Sequence, residues 1–266
     1  MDIIPIPPWW LRICLTIYRF MRKFPVLRRI AKKGKAWCLL GPMYELHIGM
    51  VHKARDFILA THDWSHLEKL PPATKELCDA CRNTMAEILD VPRRRLHCTL
   101  KVLMESDTPN KPALVVTIGR SEPLNRPPEY GTEHAHLVES NTVFSALCGK
   151  NDSNRNWQPY SYFCCNDLTK HIDEFRCDRT TWPKYYKSTL ALPLRFPKAE
   201  KNGEYKILGF LTFDMPTTGQ FYDVPDVYTH DFNTYQELLG GSSVVHTAAI
   251  MADILTLLLR PMLDNK

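Results

Sequence analysis

The stretch YYKSTLALPLRFPKAEKNGEYKILGFLTFDMP, residues 185–216, decides the fold. Two apolar runs, Ser188–Phe196 and Tyr205–Phe213, flank the polar, charged connection Pro197–Glu204. That pattern predicts a β-hairpin with a longer loop. In the first run Leu190, Leu192, Leu194 and Phe196 fall on one side, Ala191 and Pro193 on the other. In the second, Ile207, Gly209, Leu211 and Phe213 alternate with Leu208 and Phe210. Strands apolar on both sides are central in a sheet and covered by helices on at least one face. Pro193 lacks a ladder donor, so a bulge or break is expected there.

Outward from the hairpin, helical spacing predicts a closing helix over Ser242–Leu263 and earlier helices over residues 46–61, Ala73–Leu89 and Glu133–Cys148. Strands are expected over Leu96–Met104, Ala113–Gly119 and Tyr160–Cys165. Pro71 and Pro72 separate the first two helices. The chain thus reads as an α+β protein, a central antiparallel sheet of five or six strands flanked by helices. Two parts are expected, a basic amphipathic N-terminal segment over 1–44 and a main domain over 45–266.

Charge separates these parts. The formal net charge is +5, but residues 1–40 carry nine Lys/Arg and one acid, giving +8 and leaving −3 for the rest. Nucleic-acid binding by the main domain is therefore not expected. The nine cysteines, an odd number scattered in apolar segments, fit a reducing compartment and free, buried thiols. No run is long enough to span a bilayer and the N-terminus does not read as a signal peptide. A cytoplasmic protein, peripheral at a membrane, is the expected setting.

The N-terminal helix is amphipathic. Trp9, Ile13, Ile17 and Phe20 share one face, widened by Trp10, while Arg12, Arg19 and Lys23 lie opposite; Arg28 and Arg29 continue the basic run. Aromatics facing only cations suit an anionic membrane surface or an effector's hydrophobic groove. Docking on the chain's own domain fits the same pattern.

The core run YKSTLALPLRF…YKILGFLTFDMP, the segment NTVFSALCGK (Asn141–Lys150) and YFCCNDL (Tyr162–Leu168) resemble the GAF domain family. With HCTLKVL (His97–Leu103) and the last helix, the resemblance covers roughly residues 45–266. It implies helices on one side of the sheet and a small-molecule pocket on the other, in a sensory or dimerising module without catalysis. Carried onto this chain, the pocket would involve Phe163, Cys165, Asn166, Asp167, Trp182, Tyr185, Ser188 and Thr189. The motif of cyclic-nucleotide-binding members is absent. The resemblance names no cofactor and implies an unidentified small-molecule ligand and a homodimer.

Other chemistry is read more plainly. Cys78-x-x-Cys81 lacks two further zinc ligands nearby and sits mid-helix, so buried structural thiols are expected. The histidines form no ligand spacing, and His134 and His136 would splay by about 200° on a helix, so no metal site is expected. Cys164 and Cys165 point to opposite faces of a strand. One entering the pocket would suit thiol redox chemistry of the free methionine sulfoxide reductase type, with Cys98 or Cys177 as resolving thiol. A structural membrane-surface protein with an empty pocket is the remaining alternative.

Overall fold

The computed structural model describes residues 70–104, 112–121, 134–149, 162–199, 205–221, 224, 226–228 and 243–263. The basic N-terminal segment, the expected helix over 46–61 and the boundary at 44/45 lie outside these residues. In chain order the elements are helix α1 (Leu70–Leu89), strands β1 (His97–Met104), β2 (Leu114–Arg120) and β3 (His136–Leu137), helix α2 (Thr142–Leu147), β4 (Phe163–Cys165), β5 (Ser188–Ala199), β6 (Tyr205–Met215) and helix α3 (Ser243–Leu263). Short 3-10 turns occupy Arg93–Arg95, Leu168–His171 and Trp182–Lys184.

The strands form one antiparallel sheet in the order β3-β2-β1-β6-β5-β4. The hairpin is near its middle, as its apolar runs predict. Pro193, however, stays in register opposite Phe210, and the irregularity falls just after it, between Leu194 and Arg195. Pairing with β4 ends at Ala191. Among the described residues Pro193 therefore sits where β5 has a ladder partner on one side only, a position that tolerates a missing N–H. Gly209 is required by proximity, because a Cβ there would lie 2.0 Å from the Lys101 carbonyl oxygen on β1.

Two boundaries differ from the sequence reading. Pro71 and Pro72 lie inside α1, in its first turn, where the missing N–H groups have no intrahelical partner to lose. The expected helix over Glu133–Cys148 is instead β3 followed by the short α2. Leu137 and His136 pair with Leu114 and Val115, and the Val138 N–H reaches the Ala113 carbonyl at 3.1 Å. Asn141, in extended conformation, then caps α2 by accepting from the Val143 and Phe144 N–H groups. The local side-chain bond outcompetes a continuous helix.

Register assigns the two faces, because alternate residues point opposite ways. On one face Cys98, Leu100, Leu190, Leu192, Leu211 and Phe213 are buried. They are covered by α1, which packs on β1 and β2, and by α3, which packs on β5 and β6. Leu77, Cys81 and Met85 of α1 and Ala248, Met251 and Leu255 of α3 complete this core. Cys78 and Cys81 are buried in it beside Cys98, whose thiol burial pushes well up. Among the described residues all cysteines are free thiols, and no helix is long and apolar enough to cross a membrane.

Candidate functional site

The other face of the sheet is polar over β1, β5 and β6. Thr99 stands opposite Thr212, and Asp214 opposite Thr189. The Thr189 hydroxyl donates to Asp214 Oδ1 at 2.7 Å. Lys101 is buried, yet its ammonium donates to Thr117 Oγ1 at 2.9 Å and lies 5.6 Å from the centre of the Phe144 ring. A buried cation is tolerable only with such hydrogen-bond and π-face contacts. Thr212 is 5% exposed, and its hydroxyl has no hydrogen-bond partner among the described residues.

These side chains floor a small cleft, partly open to solvent, with about 40 Å3 of room for the centres of water-sized molecules. Its walls come from α2 (Val143, Phe144), its cap Asn141, and the crossover to β5 (Cys177, Arg179, Tyr186). His136 lines the mouth, which continues into a shallower depression along residues 134–136 and 178–181. The crossover is fastened at two points. Thr142 exchanges bonds with Arg176, its N–H donating to the Arg176 carbonyl at 3.0 Å and its Oγ1 accepting the Arg176 N–H at 2.7 Å. Asp178 accepts from the Leu137 N–H at 3.0 Å and from the Ser140 hydroxyl, and its Oδ2 lies 3.4 Å from His136 Nδ1.

Of the eight residues to which the resemblance pointed, Thr189 lines this cleft. Ser188 faces the opposite way and its hydroxyl donates to the Thr217 carbonyl at 2.8 Å. Phe163 packs edge-on against Tyr228, and Trp182 against Phe175 and Tyr186. The backbone of Tyr185 closes the 3-10 turn on the Trp182 carbonyl. Asp167 caps the turn after β4 through the Thr169 N–H, and bonding to Thr169 holds its carboxyl below the usual range. Asn166 donates to the Phe221 and Val224 carbonyls and accepts the Phe221 N–H, tying the chain after β6 to β4. Cys165 is buried, and burial followed by the Asp226 carboxylate pushes its thiol up.

The residues that sequence reasoning missed are Thr99, Lys101, Thr212 and Asp214 on the strands, and His136, Asn141 and Arg179 at the walls. The strand residues did carry a signal. Thr99 and Lys101, then Thr212 and Asp214, are polar at alternate positions of strands that are otherwise apolar, which places one polar stripe on one face. The wall residues come from turns and carry no periodic signal.

No family model matches the chain, and no curated protein matches it. Among solved structures it is similar to the chromophore-binding domain of an unusual bacteriophytochrome from R. palustris, at 10% identity and TM-score 0.36. That match covers 81% of this chain and 63% of the other, so the chain spans less than two thirds of that structure. It is also similar to the phycoerythrobilin-bound GAF domain of a cyanobacterial phytochrome, at 13% identity and TM-score 0.35, over 83% of this chain and 97% of the other. At these scores the likeness assigns no function to this chain.

Proposed function

We propose that the chain is a GAF-type sensor or adaptor that binds a small polar molecule in the cleft over the polar face of its sheet. The observation that carries this reading is Thr212. Its hydroxyl is buried with no hydrogen-bond partner among the described residues, at the floor of a cleft also lined by Lys101 and Asp214. Leaving a buried hydroxyl unsatisfied costs about 1–3 kcal/mol, which a ligand or bound water offsets. The lining suits a ligand with an anionic group for Lys101 and a donor for Asp214.

Native mass spectrometry of the purified full chain tests this. A co-purifying small molecule is expected, and Lys101→Met should lose it while leaving the far-UV circular dichroism unchanged. A clean apo protein that binds no small polar anions in calorimetry would sink the reading. The output would come from the N-terminal segment, whose Trp9, Trp10 and Phe20 face and Arg12, Arg19 and Lys23 face suit an anionic membrane surface or an effector. Charge reversal at Arg12, Arg19 and Lys23 should abolish co-sedimentation with anionic vesicles; equal sedimentation of both proteins would remove the membrane half of the reading. In this proposal the protein is a peripheral cytoplasmic homodimer, which equilibrium sedimentation checks.

Thiol redox chemistry is less well supported. Cys177 lines the cleft, but burial pushes its thiol up, as it does that of Cys165. Nucleophilic thiols need the opposite shift. Cys98 and Cys165 lie on opposite faces of the sheet, so Cys98 cannot resolve Cys165 without crossing it.

A further inference from the structure

Beside the end of β4, away from the cleft lining, three side chains of different chemistry converge. Cys165 comes from β4, His171 from the last residue of the 3-10 turn after it, and Asp226 from the chain beyond β6. Their ligating atoms all lie within 4.8 Å of one another. A hydrogen-bonded nucleophile–base–acid chain would be strung out, with its ends farther apart. Mutual closeness is instead the geometry of a chelate. With bonds of about 2.0–2.3 Å to S, N and O, a tetrahedral zinc ion spaces its ligand atoms about 3.3–3.8 Å apart. A contraction of at most about 1.5 Å from the observed spread would close the set around an ion.

We propose that Cys165, His171 and Asp226 form a site for one divalent transition metal ion of the zinc class. Thiolate, imidazole and carboxylate together are a donor set that zinc or cobalt(II) takes and that magnesium or calcium does not. Two anionic ligands neutralise a divalent ion, so the site can be enclosed. The metal replaces the Cys165 thiol proton, which leaves to solvent, and no redox change is involved.

The surroundings hold these three groups in place. Asp226 Oδ2 accepts the Asn166 N–H at 2.7 Å and its Oδ1 the Tyr228 N–H at 2.9 Å, which fixes the carboxylate beside Cys165. The Val227 N–H donates to the Cys164 carbonyl at 2.9 Å, and Asn166 fastens Phe221 and Val224. The His171 ring is stacked on Tyr228 at 4.0 Å and 10°. Its Nδ1 is buried without a hydrogen-bond partner among the described residues, although it lies 3.6 Å from Glu174 Oε1. Such fixing of ligands by outer contacts is what metal sites use to set affinity. The fourth position is left to water or to Glu174. Sequence spacing could not show the site, because its ligands come from three separate segments.

Titration of cobalt(II) into the chelator-treated full chain tests the proposal. One equivalent should bind, with a thiolate-to-cobalt charge-transfer band and the visible bands of tetrahedral cobalt. Cys165→Ser and His171→Ala should each remove the charge-transfer band or weaken binding at least about tenfold, whereas Cys148→Ser should keep both. Asp226→Asn preserves shape, so a folded Asp226→Asn chain with weakened cobalt binding guards against a mere folding defect. Absence of the band from the wild-type chain would overturn the site. So would a band that survives Cys165→Ser, since it would belong to other thiols such as Cys78, Cys81 and Cys98.

Discussion

The two faces of one sheet are built on opposite rules. The face under α1 and α3 is a continuous apolar layer, in which Cys98, Leu100, Leu211 and Phe213 are fully buried and the thiols are inert. The other face sets Thr99, Lys101, Thr189, Thr212 and Asp214 under a cover of loops and one short helix. Area stabilises the first, because each large side chain fully buried contributes about 1.5–3 kcal/mol. Specific polar pairing holds the second, although Thr212 finds no hydrogen-bond partner among the described residues. The difference shows which face is built for close apolar packing and which presents polar groups beneath a cover of loops.

The comparison can be broken outright at Gly209, in the strand β6 whose backbone carries both faces. Gly209→Ala forces a Cβ onto the Lys101 carbonyl at 2.0 Å and parts β1 from β6. We expect a loss of at least about 4 kcal/mol in urea unfolding, or no soluble protein. Phe213→Ala should cost about 3–5 kcal/mol, as an aromatic deleted from the close-packed face. Asn141→Ala, which removes the cap of α2 at the cleft wall, should cost about 1 kcal/mol. Thr212→Val sharpens the contrast most, because it replaces a hydroxyl with no partner among the described residues by a methyl of similar shape. Stability should stay within about 0.5 kcal/mol or rise, while any cleft ligand detected by calorimetry binds more weakly. A large destabilisation by Thr212→Val would show that its hydroxyl is satisfied within the protein.

The sequence made the sheet legible because its signal is periodic. Runs such as Ser188–Phe196 and Tyr205–Phe213 state both strand and burial. α1, α3 and five of the strands follow from the same kind of pattern. β3 and α2 did not, because Asn141 acts through a single side-chain bond to the backbone that leaves no repeat. The cleft was half legible. Thr99, Lys101, Thr212 and Asp214 alternate within apolar strands, and that alternation was available. It is easily passed over, since one lysine inside a strand reads as a solvated edge until Phe144 and Thr117 are seen beside it. Of the pocket residues named by resemblance, Thr189 lines the cleft, whereas Asn166 and Asp167 make loop and turn bonds.

Asp178 has a kinetic consequence. It fastens the crossover to β3 through exposed hydrogen bonds to Leu137 and Ser140, beside a contact to the buried His136. Exposed hydrogen bonds of this kind contribute about 0.5–1.5 kcal/mol each, so the latch is weak beside the apolar layer behind the sheet. Loop openings of that cost occur on microsecond to millisecond times. A molecule held under the crossover would exchange at the pace of this latch, long before the sheet beneath it loosens.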